Sequence, residues 1–213
     1  MATPLQIKLH VENLSKKFDR RIIFKDINFS LSNGEALAVT GRNGSGKSTL
    51  IKILSSLLNQ TAGTITLSVN CETIPRSRFC NYIGLISPYL NLYDEFTGYE
   101  NLHFISSIRG NFGKDVLKEN IDNVLKKVGL FERRNDILRI YSSGMKQRLK
   151  IAFAILHNPA ILFLDEPTDN LDADGIKIVD NIVTEFKNNR IVIVATNSEY
   201  EKAYCEKEVR IAD

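Results

Sequence analysis

A chain of 213 residues with 43% hydrophobic and 25% charged side chains has the make-up of a folded globular domain rather than of a disordered or fibrous chain. The length allows one well-packed core with one inserted lobe, and a formal net charge of +3 is too small to argue for nucleic acid as the partner. The longest apolar runs, such as Ile161 to Leu164 and Ile191 to Ala195, fall far short of the roughly 20 residues that cross a bilayer, so any membrane role is expected to come through a partner.

In chain order, the N-terminal residues alternate apolar and polar instead of forming the apolar block of a signal peptide. Alternation over Gln6 to Glu12, and again at Ile27, Phe29 and Leu31, predicts half-buried antiparallel strands. Asn33-Gly34 predicts a turn, and Ala36 to Thr40 a buried strand. A helix carrying Leu50, Ile53, Leu54 and Leu57 follows, then renewed alternation at Ile65, Leu67 and Val69. From Thr97 to Val128 the spacing of Leu117, Ile121, Val124 and Val128 predicts a helical stretch, and the whole region from Pro88 to Tyr141 reads as an almost wholly helical lobe. A further helix carries Met145, Leu149, Ala152, Phe153 and Leu156. Strand (Ala160 to Leu164), helix (Ile176, Val179, Val183, Phe186) and strand (Arg190 to Thr196) then follow in βαβ order. The expected fold is α/β: a mostly parallel core sheet covered by helices, an N-terminal antiparallel region and an inserted helical lobe. Its core is expected over residues 1–87 and 142–213 of a single domain.

The chemistry concentrates in two places. Gly41-Arg42-Asn43-Gly44-Ser45-Gly46-Lys47-Ser48-Thr49 matches G-x-x-x-x-G-K-[ST] between a predicted strand and a predicted helix. Its glycines let the backbone wrap closely around phosphate, with N–H groups pointing inward and the next helix adding its positive end. Lys47 is expected at the β- and γ-phosphates of ATP, and the Ser48 hydroxyl at Mg²⁺. The second place is Ile161-Leu162-Phe163-Leu164-Asp165-Glu166, a doubly buried strand with two carboxylates at its C-terminal end, where ligands sit in open α/β sheets. Asp165 is expected to hold Mg²⁺ through water, and Glu166 to orient or deprotonate the attacking water.

Between these motifs lies Tyr141-Ser142-Ser143-Gly144-Met145-Lys146-Gln147-Arg148, which resembles the LSGGQ-type motif of ABC ATPases with Ser143 in place of the first of its two glycines. Asp165-Glu166-Pro167-Thr168-Asp169-Asn170-Leu171-Asp172 resembles the same family's run into the D-loop. The resemblance covers nearly the whole chain in the right order. It implies an ATP-hydrolysing subunit of a membrane transporter with ATP and Mg²⁺ as cofactors, peripheral on the inner, cytoplasmic face of the membrane against an integral permease. It also implies an ATP-dependent head-to-tail homodimer or paired cassette, in which Ser142, Ser143 and Gly144 cap the γ-phosphate held by the opposite subunit. The aromatic residue that stacks on adenine would be Phe18. A helix N-cap made by Ser142 or Ser143 is expected alongside this role.

Two positions depart from the family. Pro88 stands where it has the Q-loop glutamine, with Ser87 and Tyr89 both open as substitutes, and Asn197 stands for the switch histidine. An asparagine amide donates to a phosphate but shuttles no proton near neutral pH, so slow turnover is expected. A soluble ABC ATPase of an assembly or repair system and a weakly hydrolysing regulatory module are the alternatives. Cys71, Cys80 and Cys205 read as reduced thiols of a cytosolic protein. His10, His103 and His157 read as structural or surface residues, and Lys126-Lys127 and Arg133-Arg134 as solvated helix ends.

Overall fold

The computed structural model describes residues 5–109 and 114–211. Two sheets form the frame. Strands β1 (Ile7–Phe18), β2 (Arg21–Ser32), β4 (Ala62–Val69) and β5 (Glu72–Ile74) make an antiparallel sheet in the order β2-β1-β4-β5. Strands β3 (Ala36–Thr40), β6 (Ile83–Ile86), β7 (Ile161–Asp165), β8 (Ile191–Ala195) and β9 (Lys207–Arg210) make a parallel sheet in the order β6-β7-β8-β3-β9.

The parallel strands are apolar throughout because both of their faces are covered. Along β7, Ile161 and Phe163 point into one core with α1 (Lys47–Leu54) and the inner face of the antiparallel sheet. Leu162 and Leu164 point into a second core with α4 (Ser143–Ile155) and α5 (Ala173–Lys187). Helix α1 is thus clamped between two sheets, and the loop before it is fixed from both sides. Arg76 ties its C-terminal end to the chain beyond, its guanidinium donating to the carbonyl of Ile53 at 2.8 Å and that of Leu58 at 3.2 Å.

The inserted lobe is less helical than the sequence predicts. It contains α2 (Gly98–Arg109) and α3 (Lys114–Lys127), and residues 110–113, inside the expected Thr97–Val128 stretch, lie outside the described residues. The segment 88–97 is extended and turned instead of helical, because a buried side chain supplies its hydrogen bonds. Asn101, 1% exposed, accepts from the Tyr93 N–H at 2.8 Å and donates to the carbonyls of Tyr93 (3.1 Å), Phe96 (3.4 Å) and Thr97 (2.9 Å). Beyond α3, the chain up to Tyr141 has only short 3₁₀ turns at Phe131–Arg133 and Leu138–Ile140. Leu57 also lies outside its expected helix: α1 ends at Leu54, Ser56 takes a left-handed φ of 63°, and Leu57 is exposed.

Candidate functional site

The loop between β3 and α1 is built on left-handed backbone that side chains would obstruct. Gly41 (φ 144°) and Gly46 (φ 114°) are the tightest points. A Cβ on Gly41 would lie 2.6 Å from Ser45 Oγ and 2.7 Å from the Ile211 carbonyl oxygen; one on Gly46 would lie 2.4 Å from Ile23 Cγ2. Inside this loop Lys47 is 6% exposed, and its ammonium donates to the carbonyls of Gly41 (2.9 Å) and Arg42 (3.3 Å). The loop therefore curls around a buried positive charge at the head of a helix, an arrangement suited to a polyphosphate.

Strand β7 delivers Asp165 beside this loop. Asp165 is 2% exposed, accepts a hydrogen bond from the Ser48 hydroxyl, and has one buried carboxylate oxygen, Oδ1, without a protein partner. Burial raises its carboxyl above the ordinary value, against the Ser48 hydrogen bond and the charges of Lys47 and Lys52. An unpartnered buried oxygen is costly, and a hydroxyl beside a carboxylate is the oxygen donor set a hydrated Mg²⁺ takes, so the residues fit that ion. Glu166 follows in a left-handed conformation (φ 51°), a strain of order 1–3 kcal/mol for a side-chain-bearing residue. Burial, then the charges of Asp169 and Asp165, push its carboxyl up. Glu166 faces a cleft of about 410 Å³ shared with Asn43, Gly44, Lys47, Ser48, Pro88 and Tyr89.

Asn197, exposed just after β8, reaches the same rim, where its Nδ2 donates to Asn43 Oδ1. Of the two candidates flanking Pro88, Tyr89 lines the cleft, whereas the Ser87 hydroxyl is buried and accepts the Tyr89 N–H at 3.3 Å.

Ser142 caps α4, accepting from the Met145 N–H at 3.2 Å, so the expected cap is present. Ser143 and Gly144 form the first turn of α4 and sit away from the P-loop. Ser143 lines a separate cleft of about 310 Å³ with Lys146, Lys150 and Asn170. A Cβ on Gly144 would lie 3.2 Å from the Asn170 carbonyl oxygen, and Gln147 Nε2 donates to the Pro167 carbonyl at 3.2 Å. Within one chain, then, Ser143 and the P-loop line different clefts.

The profile of the ABC transporter family matches residues 24–169. The chain belongs to that family. It is 41% identical over 178 residues to the uncharacterized ABC transporter ATP-binding protein YdbJ of Bacillus subtilis (strain 168), a match covering 83% of this chain and 55% of that one. With the arginine transport ATP-binding protein ArtM of the same organism it shares 34% identity over 194 residues, 90% of this chain and 81% of the relative. Among solved structures, the ATP-binding subunit of an ABC transporter superposes with a TM-score of 0.82 at 26% identity, covering 95% of this chain and 85% of that one. The chain thus spans little more than half of YdbJ and most of ArtM.

As an ABC ATP-binding protein, the chain carries a further expected site residue outside the P-loop cleft. Phe18 ends β1, is 46% exposed and does not line the P-loop cleft; the Lys16 ammonium sits 4.5 Å from its ring centroid. The hairpin it begins does reach the P-loop, through the contact of Ile23 with Gly46.

Two residues that the sequence did not single out belong to the site. Lys52, one turn after Ser48 on α1, lies 4.0 Å from the Tyr89 ring centroid; its i+4 spacing from Ser48 was the available signal. Glu201, 2% exposed on the short helix α6 (Glu199–Lys202), accepts from both the backbone N–H (2.9 Å) and the hydroxyl (2.7 Å) of Thr168, two residues after Glu166. Nothing in its local sequence marked it. The three histidines lie outside this constellation, and among the described residues no group of three or more His, Cys, Asp or Glu side chains could hold a metal ion.

Proposed function

We propose that this chain is the ATP-hydrolysing subunit that drives a membrane transporter. The observation that carries the reading is the convergence of Lys47, the Ser48–Asp165 pair and Glu166 on one cleft. P-loop N–H groups and Lys47 bind the β- and γ-phosphates, Ser48 and Asp165 hold Mg²⁺, and Glu166 orients or deprotonates the water that attacks the γ-phosphate. Mg²⁺, when bound, neutralises charge on the phosphoryl oxygens. A raised carboxyl suits Glu166 to a proton-accepting task near neutral pH. Phe18 stacks on adenine. Ser142, Ser143 and Gly144 cap the γ-phosphate of a second subunit in a head-to-tail dimer, a reading supported by Ser143 lining a cleft separate from that of the P-loop. No helix among the described residues is long and apolar enough to cross a membrane. Coupling to transport is proposed to run through an integral permease, with this chain peripheral on its cytoplasmic side, as the resemblance to transport ATP-binding proteins suggests.

Lys47→Ala is expected to abolish ATP binding with the fold retained. Glu166→Gln is expected to trap ATP and accumulate a dimer at saturating ATP–Mg²⁺. Calorimetry showing equal ATP affinity for Lys47→Ala and wild type refutes the phosphate site. Light scattering that finds Glu166→Gln monomeric, with and without membranes containing the permease, refutes the dimer.

Turnover is proposed to be slow, because Asn197 offers a neutral donor where the family has an imidazole. Loss of one comparable donor elsewhere costs about 2.7–4 kcal/mol. Asn197→His should raise single-turnover hydrolysis about tenfold, a gain of about 1.4 kcal/mol in transition-state stabilisation. If it does not, and Asn197→Ala is no slower than wild type, Asn197 has no part in the step.

A further inference from the structure

The Pro88 region holds a cation that the P-loop reading does not use. Lys52 is half-buried on α1, one helical turn beyond Ser48 and on the same face. Its ammonium sits 4.0 Å from the Tyr89 ring centroid, and Tyr89 lines the nucleotide cleft together with Ser48 and Glu166. A cation over an aromatic face at that distance is attracted by the ring quadrupole and loses rotamer freedom. The backbone that carries the ring is held at two points of the turn. The Tyr89 N–H donates to the Ser87 hydroxyl at 3.3 Å, and the Pro88 carbonyl accepts from Lys150 Nζ at 3.4 Å. The loop with proline in place of the metal-directed glutamine thus presents an aromatic platform, and the platform holds a lysine beside the metal-site residues.

The charges around that lysine are mostly negative. Glu166 lines the cleft, Asp165 is buried against the Ser48 hydroxyl, and the charge of Asp169 acts on both; each carboxylate opposes a triphosphate unless a cation intervenes. Beside Lys47, which the reading above places at the phosphates, Lys52 is a second positive charge acting on Asp165.

We propose that Lys52, seated on the Tyr89 ring, is a built-in counter-cation of the nucleotide site that lets this chain hold ATP without a divalent metal at little loss of affinity. The inference rests on the ATP reading above. When Mg²⁺ is bound the metal supplies the larger charge and Lys52 matters little. When Mg²⁺ is absent, Lys52 offsets the repulsion between Asp165 and the phosphates.

The test is calorimetric titration of the whole chain with ATP, once in excess Mg²⁺ and once in excess EDTA. The quantity read is the ratio of the two Kd values. In Lys52→Met the ratio should rise about tenfold over wild type, the order expected for one unit charge several ångströms from a triphosphate in a partly exposed site. Lys52→Gln, which keeps a polar head on the helix, should match it, so a packing defect in the Met variant is recognised. Tyr89→Leu should also raise the ratio, whereas Tyr89→Phe, which keeps the ring face, should leave it at the wild-type value. Wild type that binds ATP–Mg²⁺ with a ratio equal to that of Lys52→Met overturns the counter-cation alone. A rise in Tyr89→Phe equal to that in Tyr89→Leu overturns the platform. Wild type that binds no ATP–Mg²⁺ overturns the ATP reading and the inference with it.

Discussion

Replacing Glu201 tests whether the segment after the proposed catalytic carboxylate is held by one buried acceptor. Its Oε1 takes two hydrogen bonds from Thr168, at 2.9 Å from the backbone N–H and 2.7 Å from the hydroxyl, and the side chain is 2% exposed. Hydrogen bonds to a charged group contribute about 1.5–3 kcal/mol each. The desolvation of the carboxylate offsets part of that sum, so Glu201→Ala should cost about 2–4 kcal/mol, a large share of the roughly 5–15 kcal/mol by which a domain is stable. Glu201→Gln leaves an amide oxygen aimed at the same two donors and loses only the charge assistance; neutral bonds retain about 0.5–1.5 kcal/mol each, so its cost should be about half. Thr168→Val deletes the hydroxyl alone, and a double-mutant cycle with Glu201→Gln should show coupling of at least about 0.5 kcal/mol. Urea unfolding followed by circular dichroism measures wild type, the three single variants and the double variant, with the slope checked for constancy. If Glu201→Ala costs less than about 1 kcal/mol, or as little as Glu201→Gln, the carboxylate does not organise this segment.

Cysteine chemistry offers a second check: burial pushes the Cys205 thiol up to about 12, whereas Cys71 and Cys80 are exposed. A disulfide reagent at pH 8 should therefore label two thiols quickly and Cys205 only on unfolding, and three equal rates would contradict the packing. At the start of α2, Thr97 and Glu100 form a capping box, with the Thr97 N–H donating to Glu100 at 2.8 Å and the Glu100 N–H donating to the Thr97 hydroxyl at 3.1 Å. The Thr97 N–H holds the Glu100 carboxyl below its ordinary value. The stability it lends is therefore complete above the unfolded value of about 4.3 and is lost as pH falls through the folded one. Wild type should melt above Glu100→Ala at pH 7, and the gap should shrink as the pH falls below the ordinary carboxylate range; a gap that stays constant through acid pH refutes the cap.

The elements legible in the sequence are those whose partners are local or whose faces are both covered. Ile161-Leu162-Phe163-Leu164 and Ile191 to Ala195 read as strands because each lies under helices on one face and α1 on the other, so no polar side chain interrupts them. Strand β9, Lys-Glu-Val-Arg, gave no signal because it pairs only with β3 and leaves three of its four side chains exposed. Strand β5 spans three residues and likewise pairs on one side only, with β4. The segment 88–97 carries no helical spacing of its own, and only the pattern beyond it is helical. Its true conformation depends on Asn101, a buried amide whose reach across eight residues to Tyr93 no periodicity reveals.

The site divides in the same way. The P-loop was legible because its function resides in its own backbone: the glycines that allow φ of 144° and 114° are the residues that write the motif. The roles of Pro88 and Asn197 depend on which neighbours the fold brings up, and the sequence could only register what the family has there. At Pro88 the neighbours divide the work: Ser87 is spent inside the turn, and Tyr89 turns its ring to Lys52. At Asn197 the neighbour is Asn43, in the P-loop itself. That contact puts the amide at the rim of the loop between β3 and α1. It also employs the donor that a γ-phosphate would need. Handing the Asn197 N–H from Asn43 to a phosphate oxygen exchanges one hydrogen bond for a charge-assisted one, a gain of about 1 kcal/mol, and leaves the Asn43 oxygen to solvent. An imidazole at 197 would bring a further proton and positive charge to the same rim. The difference between the two residues is therefore one of charge at a shared position, which is why the substitution is expected to slow hydrolysis while leaving ATP binding to Lys47 and the loop.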